Sequence, residues 1–418
     1  MERQLLMKRF LFLLVLALFV LVSGLSTGFP LYYRLFVLLV LVLGAGLAWS
    51  YFSLRWVRLT FERPAKRVQV GDSVETRVAV NNTGPIPMLG VEVWDLLDLP
   101  GGGSGKVVHL GAGKTKEIVL RGSATRRGIY TLKGPALVSV DPLGVLRRSR
   151  RAPGTAELVV VPAVQPIPDF VTSYVDLLGE EGSHSRAHTT GGAISSVREY
   201  LPGDNYKYVH WKTTARTGEL MVKQFDAGKE RRMWVLLDLH REVQAGQPPH
   251  STEECAVTLA ASVVNRYVGL EWSVGVAGTG DAHYAMWPQS GPSALEEALR
   301  MLASVRGEGT VPLSTALGAM VDMVSSPPGT VVLITPSTDP SWGSQLAALS
   351  RFGNSILVLL IDAASFGGAS EVGPLAFALR AARVPTYVIR KGISLGKQFV
   401  TGTTPWQDPE AEVTGKRL

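Results

Sequence analysis

The sequence predicts a multidomain membrane protein: two transmembrane helices, an all-β sandwich-like domain, then an α/β domain built on a helix-covered parallel sheet. Three observations predict it. Two long charge-free apolar runs open the chain, short alternating strands punctuated by turns follow, and the second half alternates strands with helices.

The apolar runs are Phe10 to Leu25, extendable to about residue 28, and Leu35 to Phe52. An 18-residue helix rises roughly 27 Å, close to the thickness of a bilayer's hydrocarbon core. Both runs are apolar all round, whereas soluble helices carry an apolar stripe. A cleavable signal peptide is the alternative for the first run, but a second span follows at once and Val22 to Gly28 offers no A-x-A site. Residues 1–55 are therefore read as a transmembrane hairpin. Arg3, Lys8 and Arg9 precede it, Arg55 and Arg58 follow it, and its loop holds only Arg34. The positive-inside rule then places both termini and the soluble domains in the cytoplasm of a multi-pass protein of the cell membrane.

The formal net charge of +7 is modest and suits a domain beside an anionic leaflet. No long Lys/Arg run or nucleic-acid motif appears, so nucleic acid is not an expected partner. The single cysteine, Cys255, excludes an internal disulfide and any CxxC metal site, and it fits a reducing compartment. About 360 residues remain after the hairpin, enough for two ordinary domains.

Residues 56–168 read as all-β. VRLTFE, ETRVAVNN, LGVEVWDL, KEIVLRG and ELVVVP alternate apolar and polar residues, and Val70-Gly71-Asp72, Asn82-Thr83-Gly84 and Gly101-Gly102-Gly103 mark turns. Residues 169–232 form a linker that carries the most specific motif. Within it Gly179 to Gly192 reads as a polar, glycine-rich loop. His184 and His188 stand four apart there, but neither a helix nor a third ligand accompanies them, so the spacing defines no metal site.

Residues 233–400 read as α/β. MWVLLDL, WSVGVAG, TVVLITP, SILVLLI and TYVIR are strands buried on both faces. Helices are expected over Ser251–Tyr267 and Ser293–Val305, each opened by a capping box (Ser251 with Glu254, Ser293 with Glu296), and over Leu313–Val324, Trp342–Arg351 and Glu371–Ala382. Residues 401–418 read as a loose tail.

The motif is Arg198-Glu199-Tyr200-Leu201-Pro202-Gly203-Asp204, His210-Trp211-Lys212, Ala215-Arg216 and Gly218-Glu219-Leu220. Val197 to Leu201 fits a strand end, Pro202-Gly203 a turn, and Asp204 the cap of a short helix running through Trp211. Leu220, Val222 and Gln224 alternate on a further strand. The segment resembles the signature of domain-of-unknown-function family 58. Arg127-Gly128-Ile129-Tyr130, Asp141-Pro142-Leu143-Gly144 and Val159-Val160-Val161-Pro162 add family-like phrases, while Lys207 and His210 depart from the Arg and Asp expected there. The resemblance implies two N-terminal membrane helices, a β-rich domain and a C-terminal domain like the von Willebrand factor type A fold, which is Rossmann-like. It also implies partnership with AAA+ ATPases of the MoxR type, in an adaptor or chaperone-like role.

Type A domains often hold Mg²⁺ through a DxSxS loop with a later Thr and Asp. Here Asp238 is in place, but His240 and Glu242 replace both serines. Thr310 matches the threonine, and Pro336 stands where an Asp is expected. The site is degenerate, and no metal or cofactor is expected. Three functions follow from these readings. The leading one is a membrane-anchored adaptor or scaffold binding a MoxR-type ATPase and other proteins. The others are a metal-dependent ligand-binding receptor and a hydrolase or transferase using Glu199 or His210 as acid or base. No nucleophile–base pair or phosphate loop supports the last, so no catalytic residue is assigned. The signature residues Arg198, Glu199, Tyr200, Pro202, Gly203, Asp204, Trp211, Lys212, Ala215, Arg216, Glu219 and Leu220 are read as structural or partner-binding. The structural version is an ion-pair staple between the soluble domains.

Overall fold

The computed structural model describes residues 2–95, 103–140, 147–170, 194–200, 209–225, 231–279 and 284–400. Outside them lie the loop with His184 and His188, the signature's Pro202, Gly203 and Asp204, the phrase Asp141 to Gly144, and the tail. The chain divides into two compact units, Met1–Val161 and Pro162–Leu418.

The first unit opens with helices α1 (Glu2–Thr27) and α2 (Pro30–Arg55). Gly28, at a φ of +66°, turns the chain between them, a conformation that glycine adopts without a steric penalty. Among the described residues one helix segment, Pro30–Trp49, is long and apolar enough to cross a membrane. The apolar stretch described in α1, Leu11–Thr27, falls short of that length. Phe12, Leu18, Val37 and Leu41 are all more than half exposed, a surface that water does not favour.

Ten strands follow: β1 (Val57–Glu62), β2 (Arg67–Gln69), β3 (Ser73–Asn82), β4 (Met88–Asp95), β5 (Ser104–Leu110), β6 (Thr115–Ser123), β7 (Gly128–Lys133), β8 (Ala136–Val140), β9 (Arg147–Arg151) and β10 (Thr155–Val161). They form sheets β1-β3-β6, β2-β10-β7 and β5-β4-β8-β9. Val57, Val78, Val80 and Leu120 of the first sheet share one core with Val91, Val93, Val108 and Leu137 of the third. The alternation in SVETRVAVNN produces that face, since side chains of a strand point to opposite sides in turn. A buried ion pair pins the core: Arg63 meets Asp95 at 2.7 Å, and Thr76 donates its hydroxyl to the same carboxylate.

In the second unit β11 (Ile194–Glu199) pairs antiparallel with β12 (Met221–Phe225) around the short helix α3 (Trp211–Thr217). The larger body holds β13 (Arg232–Asp238), the small hairpin β14 (Gly246–Gln247) and β15 (His250–Ser251), α4 (Thr252–Gly269), β16 (Ser273–Thr279), β17 (Ala285–Gln289) and α5 (Pro292–Ser304). Then come α6 (Leu313–Ser325), β18 (Thr330–Thr335), α7 (Gly343–Arg351), β19 (Ser355–Ile361), α8 (Gly373–Ala381), β20 (Thr386–Ile389) and α9 (Leu395–Val400). The sheet runs β17-β16-β13-β18-β19-β20, parallel except for β17. Trp234, Leu236, Leu333, Val358 and Leu360 pack on one face against α6, α7 and α8. Helix α4 lies over β13, β16, β18 and β19 and buries Ala256, Val257, Ala260, Val263 and Val264.

Two local expectations need correction. Helix α5 begins at Pro292 behind Gly291, with no side-chain cap, because proline at the first helical position supplies the start; Ser293 lies inside the helix. The short helix of the signature starts at Trp211 instead of ending there, and His210 caps it by accepting from the Thr213 amide at 3.2 Å.

Candidate functional site

β13 is the first strand of the parallel sheet, and its two neighbours, β16 and β18, come from connections running to opposite sides. In open α/β sheets that switch point, at the carboxyl ends of the strands, is where ligands bind. Asp238 ends β13 there. Its register partner on β16 is Thr279, and Thr335 ends β18 one step beyond the Leu237–Ile334 pair. All three residues are buried.

The carboxylate is held by protein donors. Thr335 Oγ1 donates to Asp238 Oδ2 at 2.7 Å, the His240 amide donates to Oδ1 at 3.1 Å, and Thr279 Oγ1 lies 3.5 Å from Oδ1. Burial raises the Asp238 pKa above its ordinary value, and the bonds from Thr335, His240 and Thr279 oppose that rise. Gln244 Nε2 donates to the Asp238 and His240 carbonyls, and its Oε1 accepts from Thr252 at 2.7 Å, so the start of α4 is tied to this strand end.

The residues predicted to accompany Asp238 do not assemble a hard-cation site. His240 contributes its amide, and its ring lies 4.0 Å from Glu242, whose side chain is 72% exposed. Thr310 is exposed. Asp339 is turned outward, its carboxylate accepting from the Ser341 amide and hydroxyl; the hydroxyl bond, then the amide bond, holds its pKa below the ordinary value. Among the described residues no group of three or more His, Cys, Asp and Glu is placed to hold a metal. Mg²⁺ or Ca²⁺ needs several converging oxygens, and the donor set around Asp238 is made of hydroxyl and amide hydrogens. Thr279 and Thr335 escape the sequence reading; their one signal is that each is a hydroxyl closing an apolar strand.

The signature forms a second, separate constellation. Arg198 pairs with Val222 and Glu199 with Met221 across the β11–β12 ladder, and Tyr200 N donates to the Leu220 carbonyl at 2.8 Å. Val209 and Val222 are buried beneath α3, and His210 N donates to the Met221 carbonyl at 2.7 Å. Gly218, at φ +80°, closes α3 with its amide on the Thr214 carbonyl, a left-handed cap that favours glycine. No residue of α3 is buried. Trp211 is 65% exposed, and Lys212, Ala215, Arg216, Glu219, Leu220 and Glu199 are exposed too.

Comparison with known proteins gives a family of uncharted role. The family described as "Protein of unknown function DUF58" matches residues 196–366, which contain both constellations. The chain is 22% identical over 294 residues to the uncharacterized protein YeaD of Bacillus subtilis, covering 69% of this chain and 72% of that one. The CARDB domain of the PF1109 protein from Pyrococcus furiosus aligns with 25% of this chain and 91% of its own, at 19% identity and a TM-score of 0.19. A β-glucosidase from Listeria innocua aligns with 25% of this chain and 16% of its own, at 15% identity and a TM-score of 0.16. Scores this low assign neither fold nor function, and the likeness that spans the functional region is to the DUF58 family.

Proposed function

We propose that the chain is a membrane-anchored adaptor that presents its signature helix to another protein, with a MoxR-type AAA+ ATPase as the expected partner. The observation that carries this reading is α3: a helix with no buried residue that exposes Trp211, Lys212 and Arg216. Tryptophan and arginine dominate the energetics of protein interfaces, and an exposed tryptophan on a well-capped helix suits such a contact. Within its own unit Arg216 is exposed, so no buried ion pair holds it there.

The anchor is read as a two-helix hairpin, α1 with α2, with both termini and the soluble domains cytoplasmic. The basic residues outside the hairpin support that orientation. The α/β body is read as type A-like, an open parallel sheet with one antiparallel edge and an aspartate at the end of its first strand. The receptor and hydrolase readings gain no observation of their own. Capture from solubilised membranes tests the adaptor: the full chain should retain an AAA+ ATPase, and Trp211→Ala should release it. Equal retention by both chains would end this reading. A reporter fused at Leu418 should be active in the cytosol; activity on the opposite side would overturn the topology.

A further inference from the structure

We propose that the first unit carries a binding site for anionic phospholipid at the end of α2, formed by the arginine strand β9 packed beside that helix and an apolar hollow lined by the same helix. The inference rests on α2 spanning a membrane.

Strand β9 reads Arg-Arg-Ser-Arg-Arg, is exposed along its whole length, and is the edge of its sheet. Nothing in it is amphipathic, so burial does not explain it. It packs beside the end of α2. Arg148 stacks over the Tyr51 ring at 5.1 Å, and Arg55 donates to the Tyr51 hydroxyl at 3.1 Å. Arg150 donates to the carbonyls of Leu54 and Val57 at 3.2 and 3.1 Å, where it complements the negative end of the helix dipole. Arg147 has Glu92 at 3.5 Å. The sequence holds no acidic residue from 3 to 61 or from 142 to 156, so the positive field of this cluster is weakly opposed from its own segments.

Depth agrees with this assignment. The membrane-length segment ends at Trp49, and Arg55 lies six residues beyond, roughly 9 Å along the axis, near the headgroup layer. Trp49 and Trp56 stand at the two ends of this stretch, and amphipathic rings favour the interface. Between them is an apolar hollow of about 270 Å³ lined by Ala45, Ala48, Trp49, Trp56, Ile86 and Met88. Exposed Ile86 and Pro87 lie on a loop fixed by buried Asn82, which donates to the Ile86 carbonyl at 2.9 Å. Arginine forks match phosphate oxygens, and the hollow accepts acyl carbons.

The test uses the full chain reconstituted in equimolar phosphatidylglycerol and phosphatidylcholine, then extracted gently, with co-purifying lipid counted. Wild type should enrich phosphatidylglycerol about tenfold or more over the bulk ratio. Arg55→Gln/Arg148→Gln/Arg151→Gln should fall to near the bulk ratio, while the corresponding triple Lys variant keeps most of the enrichment. Wild type at the bulk ratio, or full enrichment in the Gln variant, would overturn the site. If the Gln variant does not fold, wild type in high salt decides instead: enrichment must fall if charge holds the lipid, and persistence refutes it. Carbonate washing separates the underlying reading. A chain stripped from the bilayer refutes the anchor and the site with it, whereas a retained chain without enrichment refutes the site alone.

Discussion

Thr335 Oγ1 donates to Asp238 Oδ2 at 2.7 Å while accepting the Ser337 amide at 2.9 Å, so one buried hydroxyl links two strand ends and the loop after β18. Burial raises the Asp238 pKa, and the Thr335 bond is the largest opposing influence. A raised folded-state pKa means that the fold binds more protons than the unfolded chain. That stability is fully present below the ordinary carboxylate range and is lost as pH rises through the folded pKa. Thr335→Val strips a donor from the ionised form and raises the folded pKa further. Its deficit should therefore deepen from pH 4 to pH 8, reaching about 1–3 kcal/mol at the upper end. Denaturant melts of wild type and variant at both pH values check this, and a deficit that shrinks with pH contradicts it.

The same donors bear on metal. Asp238 already accepts from two hydroxyls and an amide, and stripping water from a hard cation needs several convergent oxygens, while among the described residues no group of three or more His, Cys, Asp and Glu is placed to hold one. Calorimetry should show no saturable uptake at sub-millimolar Mg²⁺ or Ca²⁺. Saturable uptake that disappears in Asp238→Ala would mean that the hydroxyls turn to serve as ligands.

The strands with unbroken apolar runs were legible because both faces are buried, and the helices of the α/β body because their apolar faces recur at helical spacing. Strand β17 was not. AMWPQ is a short edge with a proline and half-exposed Trp287, so no run announces it. Strand β9 has no apolar residue to carry a period; pairing with β8 imposes its conformation. Thr279 and Thr335 reach Asp238 through register, which a single sequence does not state. The sequence leaves Trp211 between a structural and a partner-binding role, and the structure places its side chain at 65% exposure.

The Arg63–Asp95 pair is a buried polar commitment of the β-rich unit. Their side chains are 4% and 2% exposed, and Arg63 also donates to the Lys133 carbonyl at 2.8 Å. Asp95→Ala would leave a buried guanidinium without its counter-charge, a loss of about 3–5 kcal/mol. Thermal melts should show a clear drop, with Asp95→Asn intermediate. A melt like wild type would show that water reaches the pair.

Cys255 lies on α4, and burial pushes its thiol up to about 12. The thiolate is the nucleophile, so at pH 8 labelling of the folded chain should be roughly a thousandfold slower than that of a free thiol. Unfolding should restore the ordinary rate. Rapid labelling of the folded chain would mean that the partly buried thiol ionises without unfolding.

The exposed signature helix separates two roles by the order in which properties fail. A staple between domains loses stability first and partner binding as a consequence. A docking surface loses binding while the fold is untouched, because exposed side chains such as Trp211 and Arg216 contribute little to stability. Trp211→Ala and Arg216→Ala should therefore melt within about 0.5 kcal/mol of wild type yet lose most of the captured partner. Gly218→Val is the internal contrast. It forces a branched side chain into φ +80°, which should cost about 1–3 kcal/mol locally and distort the helix end. If Arg216→Ala melts as low as Gly218→Val, the charge is structural and the surface reading fails.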